Sequence, residues 1–167
     1  MSFVERDFDC EELHPIDIVE TLAEEREWDF DRIGDDQIAM AIEGTWSTYS
    51  VTLALSRQDE SLRLICAFEM EPPEERLRDL YMLMGLANDR CWNGAFTLWM
   101  DQNLMAYRYS LNLAGGAQAS SAQINDMMRS AIAMCERFYP AFQLVVAKDE
   151  KPENALGIAI SEAYGRA

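Results

Sequence analysis

The stretch DFDRIGDDQ is where this chain comes nearest to a metal-binding motif. Asp29, Asp31 and Gly34 stand at the first, third and sixth places of a calcium loop, which needs carboxylate oxygens and a sharp glycine turn. The fifth place is Ile33 and the twelfth is Met40, and neither carries a side-chain oxygen, so no calcium site is expected. His14 is the only histidine. It precedes Pro15 at a helix start and reads as a surface or capping residue, because a triad or multi-histidine metal site needs partners the sequence lacks. Gly115-Gly116 falls between a strand and a helix, where backbone amides can hold an anion, but neither the dinucleotide nor the P-loop spacing surrounds it. Glu69 with Glu71, and Glu74 with Glu75, are carboxylate pairs with no sign of a cleft around them. Cys10, Cys66, Cys91 and Cys135 are scattered, without the close pairs of metal ribbons or redox dithiols, and read as buried thiols. No catalytic residue, metal ligand or cofactor is expected, and the chain reads as non-enzymatic.

The elements that would carry any site follow from composition and periodicity. The 167 residues suit one domain, 1–167, with residues 1–13 as a flexible acidic N-terminus. Thirty acidic residues against fourteen basic ones leave a net charge of −16. Residues 1–44 hold fifteen of those acids and three of the bases. A field of that sign repels phosphate backbones and anionic headgroups, which disfavours nucleic acid and membrane as partners. The N-terminus is acidic rather than apolar, and no apolar run approaches a membrane span, so a cytoplasmic location is expected.

Pro15 opens a helix in which Ile16, Val19, Leu22 and Ala23 recur at helical spacing. Trp28 and Phe30, then Ile38, Met40 and Ile42, alternate on either side of a Gly34-Asp35-Asp36 turn and predict a hairpin. TWSTYSVTLALS and SLRLICAFEM predict two further strands. Pro72-Pro73 opens a helix with the stripe Leu77, Leu80, Tyr81, Met84 and Ala87 or Asn88. After a hairpin over residues 95–113, a helix capped by Ser120 or Ser121 carries Ile124, Met127, Met128, Ala131, Cys135, Phe138 and Phe142, with a kink or break expected at Pro140. Pro152 opens a last helix. The order α-β-β-β-β-α-β-β-α(-α) points to an α+β fold, a mostly antiparallel twisted sheet of about six strands with helices on one side.

In AFTLWMDQNLMAYRYSLNL an even-numbered loop puts Phe96, Leu98 and Met100 with Met105, Tyr107, Tyr109 and Leu111 on the core face. Trp99 then shares the opposite face with Thr97, Ala106, Arg108 and Ser110. The corresponding residues of the other strands include Trp46, Thr48, Ser50, Thr52, Ile65 and Ala67, and this face is poor in charge for so acidic a chain. Six strands about 4.8 Å apart and roughly 20 Å long span on the order of 600 Å², near the largest apolar patches of ordinary monomers. The last helix, a second copy of the chain or another protein are the candidates to cover it, the alternative being a merely solvated face. Trp46, Thr48, Ile65, Trp99 and Arg108 are the candidate partner-binding residues, the tryptophans because indoles are enriched at interface hot spots.

The stretch NDRCWNGAFTLWMDQNLMAYRYSLNL followed by a long helix, with the acidic helix and strands before it, resembles the YbjN family of small bacterial proteins described as sensory transduction regulators. The resemblance covers roughly residues 14–148. It implies a fold similar to the type III secretion chaperones, whose sheets pack against helices and which commonly form dimers. That family has no established active site, so the resemblance assigns no functional residue. The sequence therefore points to a chaperone-like or regulatory protein-binding module, with a homodimer expected. The alternative is a small-molecule sensor or enzyme with a pocket between sheet and helices, lined by Tyr81, Met84, Tyr107 and Tyr109.

Overall fold

The computed structural model describes residues 13–165. The expectation for the acidic N-terminus falls on residues 1–13, of which 1–12 lie outside the described residues, while Leu13 is exposed. Helix α1 (Pro15–Glu25) is followed by strands β1 (Asp29–Arg32), β2 (Gln37–Glu43), β3 (Thr48–Ser56) and β4 (Ser61–Glu69), helix α2 (Leu77–Asn88), strands β5 (Gly94–Trp99) and β6 (Leu104–Asn112), and helices α3 (Ser121–Ala147) and α4 (Pro152–Gly165). The six strands form one antiparallel sheet in the order β1-β2-β3-β4-β6-β5. The α+β architecture read from the sequence is the one observed.

Local chemistry accounts for the element ends. His14 caps α1: its Nδ1 accepts the Ile16 N–H at 3.1 Å, while Nε2 lies 2.9 Å from Asp36 Oδ1 in the β1–β2 turn. The neutral tautomer with its proton on Nε2 satisfies both bonds. Gly34 in that turn has φ +75°, the left-handed region that glycine enters without a Cβ clash. Ser120 closes the start of α3 with Gln123 in a reciprocal capping box, at 3.0 and 2.9 Å.

Alternation along the strands sends Ile38, Met40, Ile42, Tyr49, Val51, Leu53, Leu62, Leu64, Cys66 and Phe68 to one face, where they meet α1, α2 and α3 in one continuous buried cluster. Phe96 is its hub, edge-on to Tyr107 (5.1 Å), Phe138 (5.7 Å) and Phe142 (5.1 Å). All seven residues of the α3 stripe are buried.

One expectation about the helices needs correction, and of the kink or break expected at Pro140 the break does not occur. The buried stripe of α2 is Leu80, Leu83, Met84 and Ala87, while Tyr81 is half-exposed. Leu83 falls three after Leu80 and four before Ala87, inside the apolar stripe, whereas Tyr81 lies on its flank. Helix α3 also continues through Pro140 without a break. An interior proline costs about 3 kcal/mol or more. Beyond it Phe142 and Val145 are fully buried, and burying such side chains gains about 1.5–3 kcal/mol each, enough to hold the chain helical.

Helix α4 packs against α2 and α3, on the helical side of the sheet. Arg76, just before α2, fixes that direction: its guanidinium donates to the carbonyls of Val145 (2.8 Å) and Glu150 (3.0 Å) on either side of the α3–α4 junction. It also pairs with Asp79 at 2.9 Å and Asp149 at 2.5 Å. The last helix therefore does not cover the second face of the sheet.

Candidate protein-binding face

Register defines what the bare face presents. One row across the sheet reads Ala41, Ser50, Ala67, Ala106 and Thr97, each the Cα partner of the next. The adjacent row reads Ala39, Thr52, Ile65, Arg108 and Ala95. Trp99 stands beyond the first row at the end of edge strand β5, opposite Leu104. Ala67 and Ala106 are almost wholly shielded although no helix among the described residues packs on their side of the sheet, because short methyl groups lie low among taller neighbours on the same face.

Ile65, Thr97, Trp99 and Arg108 line a broad depression of about 1100 Å³ on this face, toward the β5 edge. Three of the five candidate residues are thus brought together. Thr48 is on the same face but on β3, with β4 and β6 between it and β5. Trp46 is a correction: it lies in the β2–β3 turn, before β3 begins at Thr48. The turn is closed by Gly44 N–H donating to Ser47 O at 2.8 Å. Glu136 of α3 draws it toward the helices, accepting from Thr45 N–H (3.0 Å), Trp46 N–H (3.4 Å) and the Tyr49 hydroxyl (2.5 Å). Met100, expected on the core face, stands in the β5–β6 loop and is exposed. The four-residue loop, with Asn103 at φ 54°, preserves the even register that separates Trp99 from Phe96 and Leu98.

A further indole was not singled out from the sequence. Trp92, between α2 and β5, is 96% exposed and lines the same depression. A turn residue belongs to no period, so its only signal was a large aromatic ahead of Asn93-Gly94. Gly94 itself allows a close approach, since a Cβ there would collide with the Arg108 carbonyl and the Tyr107 ring.

The depression is lined by no histidine or cysteine, and its one carboxylate, Asp59, pairs with Arg63. Arg108 has no ion-pair partner among the described residues. Elsewhere, burial pushes the Cys91 thiol up from its ordinary value, with Arg137 opposing, and so favours the protonated form. Cys66 and Cys135 are buried, and no group of three or more His, Cys, Asp or Glu side chains converges among the described residues. Tyr107 and Met84 are packed in the core, while Tyr81 faces outward, so the four residues suggested for a sheet–helix pocket do not share one surrounding. No helix among the described residues is long and apolar enough to cross a membrane.

The edge of the sheet beside this face is closed at its centre. Asn88, the last residue of α2, donates from Nδ2 to Phe96 O (3.1 Å) and accepts from Phe96 N–H at Oδ1 (2.6 Å). Its amide replaces a neighbouring strand at that position.

Solved structures share this architecture. The crystal structure of YbjN from E. coli, described as "a putative transcription regulator", aligns with a TM-score of 0.54 at 12% identity, over 80% of this chain and 90% of that one. A structure of the HopA1-SchA chaperone-effector complex aligns with a TM-score of 0.53 at 16% identity, over 77% of this chain and 94% of that one. At such identities the likeness shows the fold. No curated protein matches the sequence. The family described as "Putative bacterial sensory transduction regulator" matches residues 15–144, from the first helix through most of the long one. With more than three quarters of its length inside that match, the chain belongs to the YbjN family.

Proposed function

We propose that this protein is a non-enzymatic protein-binding module, chaperone-like or regulatory, that acts as one domain in the cytoplasm. Its bare sheet face around Ile65, Trp99 and Arg108 receives a protein partner, and a second copy of the chain, forming a homodimer, is one such partner. The observation that carries this is the one-sided sheet: the four helices of the described residues gather on one face, and the other offers low alanines and threonines, an indole and a wide depression. The fold shared with a chain of a chaperone-effector complex supports the same function. The whole-chain charge of −16 favours a protein over nucleic acid.

The test combines light scattering at micromolar concentration with a pull-down, comparing the native chain and an Ile65→Ala, Trp99→Ala double variant. Expected is a species of twice the 19.1 kDa chain mass, or a retained partner, either weakened roughly tenfold or more by the substitutions while the circular dichroism is kept. A strict monomer whose captured proteins are the same with and without the substitutions refutes the proposal.

A further inference from the structure

We propose that the corner around Trp92, where the bare face turns toward the helices, docks an acidic segment of a partner protein that carries an apolar anchor for the indole. The inference rests on the protein-binding function above and specifies the partner's chemistry at that function's most exposed point.

Among the described residues Trp92 is the most exposed large hydrophobic, at 96%. It stands between two depressions and lines both: the one of about 1100 Å³ on the bare face, and one of about 300 Å³ on the helix side bounded by Arg90, Cys91, Tyr107, Arg129 and Met134. An indole between two hollows can be enclosed from both sides by one bound chain, which is the setting in which tryptophan contributes most to binding.

Charge identifies the occupant. The two hollows are lined by Arg63, Arg90, Arg108 and Arg129 and by a single carboxylate, Asp59, already paired with Arg63. Arg90, Arg108 and Arg129 have no ion-pair partner among the described residues. The buried Nε of Arg137, close enough to Cys91 to act on its thiol, also lacks a hydrogen-bond partner among them. A chain with thirty acids and fourteen bases thus lines these two hollows with an excess of positive side chains, with Asp89 beside Arg90 and Asp126 near Tyr109 as the neighbouring acids. The far edge of the sheet keeps an acidic excess: α1 carries Asp17, Glu20, Glu24 and Glu25 and β1 carries Asp29 and Asp31, against Arg32, which pairs with Asp17 and Glu20. Such a polarised field steers an acidic segment to the Trp92 corner and a basic one away from it. Because Asn88 already occupies both backbone groups of Phe96, the segment lies across the corner through its side chains and does not add a seventh strand at that point.

The experiment uses the full chain and fluorescence anisotropy of three labelled probes: a peptide of about twelve residues of Glu, Phe and Leu, its analogue with Lys for Glu, and a dT oligonucleotide of similar length. Expected is tightest binding of the Glu peptide, weakening as salt rises. An Arg90→Glu, Arg108→Glu double variant should bind it at least roughly tenfold more weakly, and Trp92→Ala several-fold more weakly, with unaltered thermal melting. Equal or tighter binding of the Lys peptide or the oligonucleotide, no binding of the Glu peptide, or indifference to both variants overturns the proposal. Those results would leave standing a partner whose binding depends on Ile65 and Trp99, so the two failures are distinguishable.

Discussion

Tyr49 of β3 donates its phenolic hydrogen to Glu136 of α3 at 2.5 Å, joining the sheet to the long helix at the β2–β3 turn. The same carboxylate accepts the Thr45 and Trp46 amides, and a Cβ at Gly44 would collide with it and with the Tyr49 ring. One carboxylate thus anchors a whole turn. Glu136→Ala should cost about 2 kcal/mol and Tyr49→Phe about 1 kcal/mol in urea unfolding. The two should couple in a double-mutant cycle, and strict additivity would show that the bond carries no energy.

Burial first, and then the Glu136 carboxylate, raise the Tyr49 phenol above its ordinary value, and burial raises that of Tyr107. A group that holds its proton longer in the folded state contributes stability fully present below the unfolded pKa of about 10 and lost as pH rises beyond it. Alkaline unfolding should begin near pH 10, with both phenolates appearing at 295 nm only as the fold is lost. Ionisation of all the tyrosines before any loss of circular dichroism would contradict this.

Asn88 shields the β5 edge through two bonds to Phe96. Asn88→Ala leaves both backbone groups without that partner and should cost about 1–3 kcal/mol, and Asn88→Asp, which sets a carboxylate oxygen against the Phe96 carbonyl, should cost at least as much at neutral pH. Sedimentation velocity should also show concentration-dependent association of the alanine variant, as expected of an uncovered strand edge. Unchanged stability and sedimentation would refute the role.

Arg57, and after it His14, holds the Asp36 carboxyl down at about 2. A lowered carboxyl contributes stability present above its unfolded pKa of about 3.9 and lost as pH falls through about 2. Asp36→Asn should therefore lower stability at neutral pH and flatten its decline between about pH 4 and 2, read from thermal melts across that range. An acid limb identical in both proteins would exclude the contribution.

Period-two alternation made the two faces legible from the sequence: Phe96 and Leu98 are buried, and Thr97 and Trp99 turn to the bare side. The α3 stripe was equally plain because seven apolar residues kept helical spacing. Legibility ended where a residue's setting depends on a distant element. Trp46 reads as a strand residue until Glu136, ninety positions away, gathers its turn. Asn88 reads as part of a helix stripe and serves as an edge clamp. Tyr81 and Leu83 exchange burial because two helices claim neighbouring sides of α2, a demand that apolar character alone does not reveal. Of the five candidate residues, alternation placed Thr48, Ile65, Trp99 and Arg108 on one face, the last three around one depression, and Trp92 lay outside any pattern that alternation can read.

The sheet order also bears on how the chain reaches its native state. Strands β1 to β4 pair in succession and β5 pairs with β6, each pair closed by a short connection, whereas β4 and β6 meet with all of α2 and β5 between them. That seam alone among the strand pairings carries the entropy of closing a long loop. A four-strand meander and a hairpin can each form locally and early, so the zipping of Ser61–Glu69 onto Leu104–Asn112 is where topology slows folding.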